Sequence, residues 1–432
     1  MILDAYISLF RSYAKDFNAQ APEWLVQARE ASLQYLLRHQ DLSEADAYAT
    51  DFGLNPKRIR PQGDPSQLFT CEIPGITSYN FLVLNDSCFA QPKQQLPEGV
   101  VVCALSDAFV RYPELVARYW GKAKTENANW HFNQLFAQDG LFVYLPKGVT
   151  LDRPIQLVNL MYDNQPRMAV SHNLIIVEDD AQAQVLVCDH AYGESPCLSN
   201  RYTEVFVGRN ARYEHYKLES THREMTNVSA LTLCLQDGAE VLTNNITLHG
   251  GRTANDVRAA LMGEGARLSV NGLALGDHDQ SIRNHTCITH QVAGSVSTEL
   301  FKYLLDGQSQ GEFFGLVKVE EGADRTTALQ TNRNLCLSAD ARMQSQPQLE
   351  IYADDVQCNH GSATGQLDEN ALFYMQTRGI SEKEARFLLM SAFAYEVLDN
   401  VGISAVKDRL RWMIERRLRG EKYNCATCSM CK

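Results

Sequence analysis

Apolar and polar residues recur at helical spacing near both ends of the chain and alternate at strand spacing through its middle. In the first fifty residues Trp24, Leu25, Ala28, Leu33, Leu36 and Leu37 fall on one broad face, and Pro22 suits a helix start. The opening MILDAYISLFRSYAKDF reads as an amphipathic helix. Residues 51–70, rich in Pro, Gly and Arg, read as a loop. Apolar runs at 81–84 and 100–105 predict short strands, and helical spacing returns at 107–120 and 130–137. From 141 to 357 nearly everything reads as short strands; after His360 the pattern is helical again.

The strands are punctuated by similar turns: EDDAQAQV from 178, GRNARYEHY from 208, QDGAEVLTN from 236, GEGARLSVN from 263, EEGADRTTA from 320 and SADARMQSQ from 338. Their alanines at 181, 211, 239 and 266 are 30, 28 and 27 residues apart, and Ala323 follows after 57, about two further steps. An irregular repeat of this length predicts a β-solenoid, in which each repeat buries its face against its neighbours. No proline falls between Pro196 and Pro347, which suits a long unbroken stack. The predicted organisation is a mostly helical N-terminal region over 1–140 with a few short strands, a solenoid core over 141–360, and a helical region with a Cys-containing tail over 361–432.

The stretch from Gln346 to Ile380, QPQLEIYADDVQCNHGSATGQLDENALFYMQTRGI, brings together most of the candidate chemistry. Leu349, Ile351 and Ala353 alternate with polar neighbours, and Asp354 and Asp355 interrupt the pattern. If the strand runs on unbroken, Val356, Cys358 and His360 share the opposite face and point away from the core. A bulge at the two aspartates turns them inward. In either case Cys358 and His360 lie two apart on one face, roughly 6–7 Å at Cα, where a thiolate and an imidazole can converge on one metal or cluster. The plainer reading is a small buried Cys and an ordinary His near a strand end. Beyond them, Gly379 stands where a helix C-terminus needs it, and Ser381 with Glu384 forms a capping box. Ala385, Leu388, Leu389, Ala392, Phe393 and Val397 are predicted to line one face of the helix that follows, and a last amphipathic helix spans about 404–419.

Length and composition narrow the function. A chain of 432 residues, 45% hydrophobic and 21% charged, can bury a large core. Its net charge of −12 excludes broad binding to nucleic acid or anionic membranes. The basic run Arg409, Arg411, Arg416, Arg417 and Arg419 solvates a helix or meets an acidic partner. No apolar run is long enough to span a membrane, and the start lacks the features of a signal peptide. Most of the twelve cysteines, among them Cys71, Cys88, Cys103, Cys188, Cys234 and Cys336, are scattered singly, the pattern of reduced thiols in a cytoplasmic protein. The glycosylation-like matches at Asn227, Asn245 and Asn284 are then coincidental.

PQLEIYADDVQCNHGSATGQLDENALFYMQTRGIS closely resembles the signature of the SufB/SufD family, scaffold subunits of iron–sulfur cluster assembly. The pairing of DDV-x-C-x-H-G with FY-x-x-x-RGI resembles the SufD branch. The resemblance restarts at HFNQLFAQDGLFVYLPKGVTLDRPIQL, residues 131–157, and covers roughly 131–418. The tryptophan-containing motif that many SufD proteins carry near their start is not recognised. The resemblance implies a mainly β fold, a right-handed parallel β-helix flanked by N-terminal and C-terminal helical domains. It implies a cytoplasmic, non-catalytic SufD-like component that pairs with a SufB-like sister scaffold and docks a SufC-like ATPase through its C-terminal helices. A homodimer when alone is a further expectation. It implies that His360 first, with Cys358, faces the sister subunit and helps hold a transient iron–sulfur cluster shared with it. Whether a reduced flavin touches this subunit is open.

Other motifs add less. No G-x-x-x-x-G-K-[ST] occurs, so no ATP site is expected, and GEGARL lacks the third glycine of a dinucleotide loop. His285, Cys287 and His290 lie in NHTCITH; His285 and Cys287 share a strand face, but a structural role is expected for all three. The tail NCATCSMCK carries Cys425, Cys428 and Cys431 at C-x-x-C-x-x-C spacing, suited to iron–sulfur or zinc ligation with a fourth ligand from elsewhere; the alternative is a set of solvent-exposed thiols. Two competing functions are a β-helix carbohydrate-active enzyme, whose clustered carboxylates Asp354 and Asp355 could only supply with a bulge, and a homodimeric scaffold that carries no cluster.

Overall fold

The structure is a computed structural model and describes residues 2–19, 21–39, 73, 75–90, 95–123, 127–162 and 166–421. The expected loop at 51–70, Cys71 and the C-terminal cysteines lie outside the described residues. Two helices come first, α1 (Ile2–Asn18) and α2 (Glu23–Arg38), then β1 (Tyr79–Leu84), β2 (Ser87–Ala90) and β3 (Val101–Ala104). Three short helices follow: α3 (Leu105–Arg111), α4 (Pro113–Tyr119) and α5 (Ala128–Phe136). The next strands are β4 (Leu141–Leu145), β5 (Ile155–Tyr162), β6 (Arg167–Val177), β7 (Gln182–Tyr192), β8 (Cys197–Val207), β9 (Arg212–Ser220), β10 (Met225–Leu235) and β11 (Glu240–His249). They continue as β12 (Arg252–Leu261), β13 (Arg267–Gly276), β14 (Ser281–His290), β15 (Val296–Leu305), β16 (Gln310–Val319), β17 (Thr326–Cys336), β18 (Arg342–Ile351) and β19 (Val356–Gly365). The described chain closes with α6 (Glu369–Thr377), α7 (Glu382–Leu398) and α8 (Ser404–Leu418).

From β4 onward the strands alternate between two sheets. One runs β19-β17-β15-β13-β11-β9-β7-β5-β1-β2 and will be called the odd sheet; the even sheet runs β18-β16-β14-β12-β10-β8-β6-β4-β3. Successive rungs are parallel and in register, from 26 residues apart (Thr226 opposite Arg252) to 32 (Gln310 opposite Arg342). This is the expected β-solenoid with helices at both ends of the chain.

The repeated alanines mark one edge of it. Ala181, Ala211, Ala239, Ala266 and Ala323 are all fully buried where the chain turns from the even to the odd sheet. Each is preceded by a left-handed residue: Asp180, Asn210, Gly238, Gly265 and Gly322, with φ from 54° to 78°. A residue at positive φ turns the chain sharply, and a methyl group is what the corner then holds. The repeat missing between 266 and 323 is present as Gly294–Ser295, the serine fully buried and its Oγ 2.7 Å from His290 Nδ1. That bond is why a polar residue replaces alanine there. The turn at 338 belongs to the other edge, where the odd sheet passes to the even one, and its Ala341 is only half-buried.

Helices cover the outside. On the even sheet, α1, α2 and α5 pack Tyr6, Phe10, Leu36 and Phe136 on Met168, Val170 and Leu198. On the odd sheet, α7 and α8 pack Val397, Leu398, Met413 and Ile414 on Leu186, Ile246, Leu273 and Leu304. The C-terminal helices therefore lie along a side of the solenoid and do not seal its end. The Ser381 cap accepts a hydrogen bond from the Glu384 amide, and Gly379 has φ 85°, as expected. The predicted apolar face of α7 is partly shifted: Ala385 and Val397 are buried, but Met390 and Ala394 take the places given to Leu388 and Ala392, which are exposed. The shift arises because Lys302, fully buried, donates to the Phe393 carbonyl at 2.9 Å and pairs with Glu396, fixing the rotation of α7. The basic run of α8 is used within the chain: Arg417 donates to the Leu248 carbonyl at 2.9 Å and pairs with Asp277, and Arg419 pairs with Glu384.

Candidate functional site at the open end of the solenoid

The last turn is built from β18 and β19, each the outermost strand of its sheet. Their outer edges carry no further strand among the described residues. Pro347 sits in β18, an edge strand where a missing amide donor is tolerated. Between the two strands, Tyr352–Asp355 forms a corner and the chain changes sheets. Ala353 lies one rung beyond Ala323, as the pairing of Thr326 with Val356 requires. Asp354 and Asp355 are exposed corner residues. Neither the unbroken strand nor the bulge describes this segment. A corner reverses the chain direction, so Leu349 and Ala353 before it and Val356 and Cys358 after it all pack against one solenoid core. The outward placement expected of Cys358 from a continuous register is thereby corrected: it faces the interior.

Cys358 is half-buried and pairs in register with the buried Ala328. Burial holds its thiol above the ordinary range. A metal must therefore displace the proton to use this sulfur, which coordination readily does. His360, two residues on, faces the same way but is exposed, because no rung stacks on it. Beneath it lies a polar column. His360 is in register with Gln330, and Gln330 with Glu299. Gln330 Nε2 donates to Glu299 Oε1 at 3.0 Å. Glu299 is fully buried, and burial raises its carboxyl to about 7. Across the end, Ser345 of β18 and Ser362 of β19 meet at 2.7 Å, and Ser345 also donates to Asn332 Oδ1. Gln330, Asn332 and Asn334 were not singled out from the sequence. Their alternation in AL-Gln330-T-Asn332-R-Asn334, one repeat before His360, was the available signal.

Among the described residues no group of three or more His, Cys, Asp or Glu is arranged to hold a metal. Cys358 and His360 thus offer two donors at an open end, an incomplete set. His285 and Cys287 share the half-exposed outer face of β14, as expected, with His285 Nε2 2.6 Å from Glu312 Oε1. His290 faces the interior and bonds to Ser295 and Ser297. Both histidines are accounted for by structure. Cys425, Cys428 and Cys431 lie outside the described residues.

The C-terminal helices offer a second feature of the surface. α6 has no buried residue, and its Phe373 and Tyr374 are 69% and 59% exposed. No described helix is long and apolar enough to cross a membrane.

Comparison with known proteins agrees with these features. The model of the SufBD protein N-terminal region matches residues 2–157, and that of the SUF system FeS cluster assembly, SufBD core domain matches residues 160–393. The first match extends the likeness into the N-terminal third, where the motifs were not recognised. The chain is 26% identical to an iron–sulfur cluster assembly SufBD family protein of Synechocystis over 332 residues, 74% of this chain and 73% of that one. It is 25% identical to the iron–sulfur cluster assembly protein SufD of Escherichia coli over 293 residues, 67% and 69% of the two chains. With SufD of Bacillus subtilis it shares 26% over 342 residues, 74% and 75%.

Proposed function

The chain belongs to the SufBD family of iron–sulfur cluster assembly proteins, and from that membership we propose that it acts as a SufD-like subunit whose open solenoid end joins a SufB-like sister chain. The observation that carries this reading is the exposed last turn. Two edge strands there present unpaired backbone, and the two potential cluster donors stand on the same end. Edge strands of this length invite strand addition from a partner of matching geometry. The nascent cluster is cargo, held at the junction by His360 and Cys358 and by donors from the sister chain. Few ligands from each side keep it labile enough to pass on. The same edge pairs two copies of this chain when the sister is absent.

A SufC-like ATPase would dock on the C-terminal helices, where Phe373 and Tyr374 supply the exposed aromatic anchors typical of interface hot spots. The chain itself carries no phosphate-binding loop of the Walker type. Its part is to position and to transmit movement, not to turn over substrate.

The test is association with a purified SufB-like chain, followed by light scattering after size exclusion. Ser362→Lys places a charge on the open edge, a substitution that blocks strand addition. The variant is expected to lose at least tenfold in affinity for the sister chain while keeping its circular dichroism spectrum. Undiminished association would rule out this end as the junction.

A further inference from the structure

Gln330, one rung inside the open end, carries a buried amide with one half unmet. Its Nε2 donates to Glu299 Oε1 at 3.0 Å, while its Oε1 is sealed from solvent and receives no hydrogen bond from the described residues. Two neighbours hold the amide in this orientation. Burial raises the Glu299 carboxyl to about 7, and above that pH the carboxylate only accepts, so it takes the amide nitrogen. Across the interior, Gly315 makes room for the amide: a methyl group there would overlap Gln330 Nε2. A buried acceptor left unmet costs free energy, which favours a donor within reach of Oε1.

Glu299 occupies the side toward the earlier turns, so the donor has to come from the last turn. Pro347 pairs with Gly315 and carries no donor. Ser362 Oγ is 2.7 Å from Ser345 Oγ, and because Ser345 gives its own proton to Asn332 Oδ1, Ser362 donates to Ser345. Cys358 stacks on Ala328, and a thiol is a weak donor. His360 stacks on Gln330 itself, across a strand spacing of about 4.8 Å. Its ring is exposed and, among the described residues, makes no hydrogen bond. An imidazole N–H and an amide carbonyl, both unmet, thus stand on consecutive rungs of one column.

We propose that Gln330 is the positioning residue of His360: its carbonyl, turned to the open end by the bond to Glu299, accepts the ring N–H and leaves the other ring nitrogen for a metal. A histidine that ligates a metal through one nitrogen commonly donates the other to a carbonyl or carboxylate, which fixes the tautomer and the direction of the ring. Here that partner comes from the preceding rung, 30 residues earlier in the chain. The use of the contact rests on the reading of His360 as a cluster donor; the contact itself belongs to the isolated chain.

The test is ¹⁵N NMR of the isolated full chain labelled at histidine, at about pH 8.5, where an ordinary imidazole is neutral. The His360 signals are identified by their loss in His360→Ala. One neutral tautomer is expected in at least tenfold excess, because a fixed acceptor selects the ring nitrogen that keeps the proton. Gln330→Met keeps the length of the side chain and removes the carbonyl, and the excess is expected to fall at least threefold. Gly315→Ala displaces the amide without removing it and is expected to act in the same direction. A native ring without the excess, or an excess that survives both substitutions, would overturn the proposal. A second arm separates this contact from the donor role. In the complex with SufB-like and SufC-like partners, Gln330→Met is expected to lose its cluster to a chelator at least threefold faster than the native chain, with assembly intact. Loss at the native rate would overturn the positioning role even with the contact present. A cluster band unchanged in His360→Ala would overturn the donor reading, and the positioning role with it.

Discussion

His360 stands in register one rung beyond Gln330, and their environments are opposite: Gln330 is fully buried and His360 is exposed. Both face the solenoid interior. The difference is the absence, among the described residues, of any strand beyond β19. The same inward direction that buries a side chain in the earlier turns leaves it exposed in the last one.

This contrast separates the two residues in stability. His360→Ala removes an exposed ring and is expected to change stability by no more than about 0.5 kcal/mol. Gln330→Ala removes the donor to the buried Glu299 carboxyl and is expected to cost about 2 kcal/mol. Urea denaturation midpoints of the two variants provide the check. Equal losses would contradict the assignment of one to the interior and the other to the open end.

The docking of α7 rests on Lys302. Its ammonium lies 4.2 Å from the centre of the Phe393 ring, donates to the Phe393 carbonyl and pairs with Glu396. Lys302→Ala removes all three contacts and opens a gap under the helix. A loss of about 2–4 kcal/mol is expected. Hydrogen exchange should show the α7 amides exchanging at least tenfold faster, with β6 to β10 unchanged. Uniform acceleration across the solenoid would mean that Lys302 supports the core and not the helix.

Glu204 gives stability a pH dependence. It is fully buried, 3.8 Å from His172 Nε2, and accepts from the Gly121 amide at 2.9 Å. Burial raises its carboxyl to about 8 and lowers the His172 imidazole to about 3, so both are neutral at pH 7. The His172 Nδ1–H donates to Asn133 Oδ1, whose amide orientation is fixed by its own bonds to Ser171 and Asn200. A carboxyl raised on folding holds a proton that the unfolded chain has already lost. Its contribution is complete below about pH 4.5 and is lost as pH rises toward 8. Glu204→Gln has no such titration. Its stability relative to the native chain is expected to improve by a few kcal/mol between pH 5 and pH 8.5. Urea midpoints at the two pH values test this, and a difference independent of pH would contradict it.

The sequence showed the solenoid through the alanines of one edge, because a tight corner tolerates only a small residue and a left-handed one before it. It showed the caps of α7 for the same local reason. What it did not show is where a strand ends and a corner begins near Asp354. The period of two continues through Leu349, Ile351 and Ala353, and nothing local distinguishes a straight strand from one that turns. Side-chain direction at Cys358 depended on that distinction, so it could not be read. The polar column under His360 depends on residues 30 and 61 positions earlier, brought together only by the stacking of rungs. The position of α7 and α8 along a side of the solenoid was likewise a matter of long-range packing.

The central claim is that His360 is a donor to a cluster held between this chain and a sister chain. The direct measurement is the visible absorption spectrum of the complex co-expressed anaerobically with SufB-like and SufC-like partners, compared between the native chain and His360→Ala. The account predicts that the cluster band is lost or strongly reduced in the variant while the complex still assembles. An unchanged band in an intact complex would contradict it and leave the cluster to donors on the partner chain.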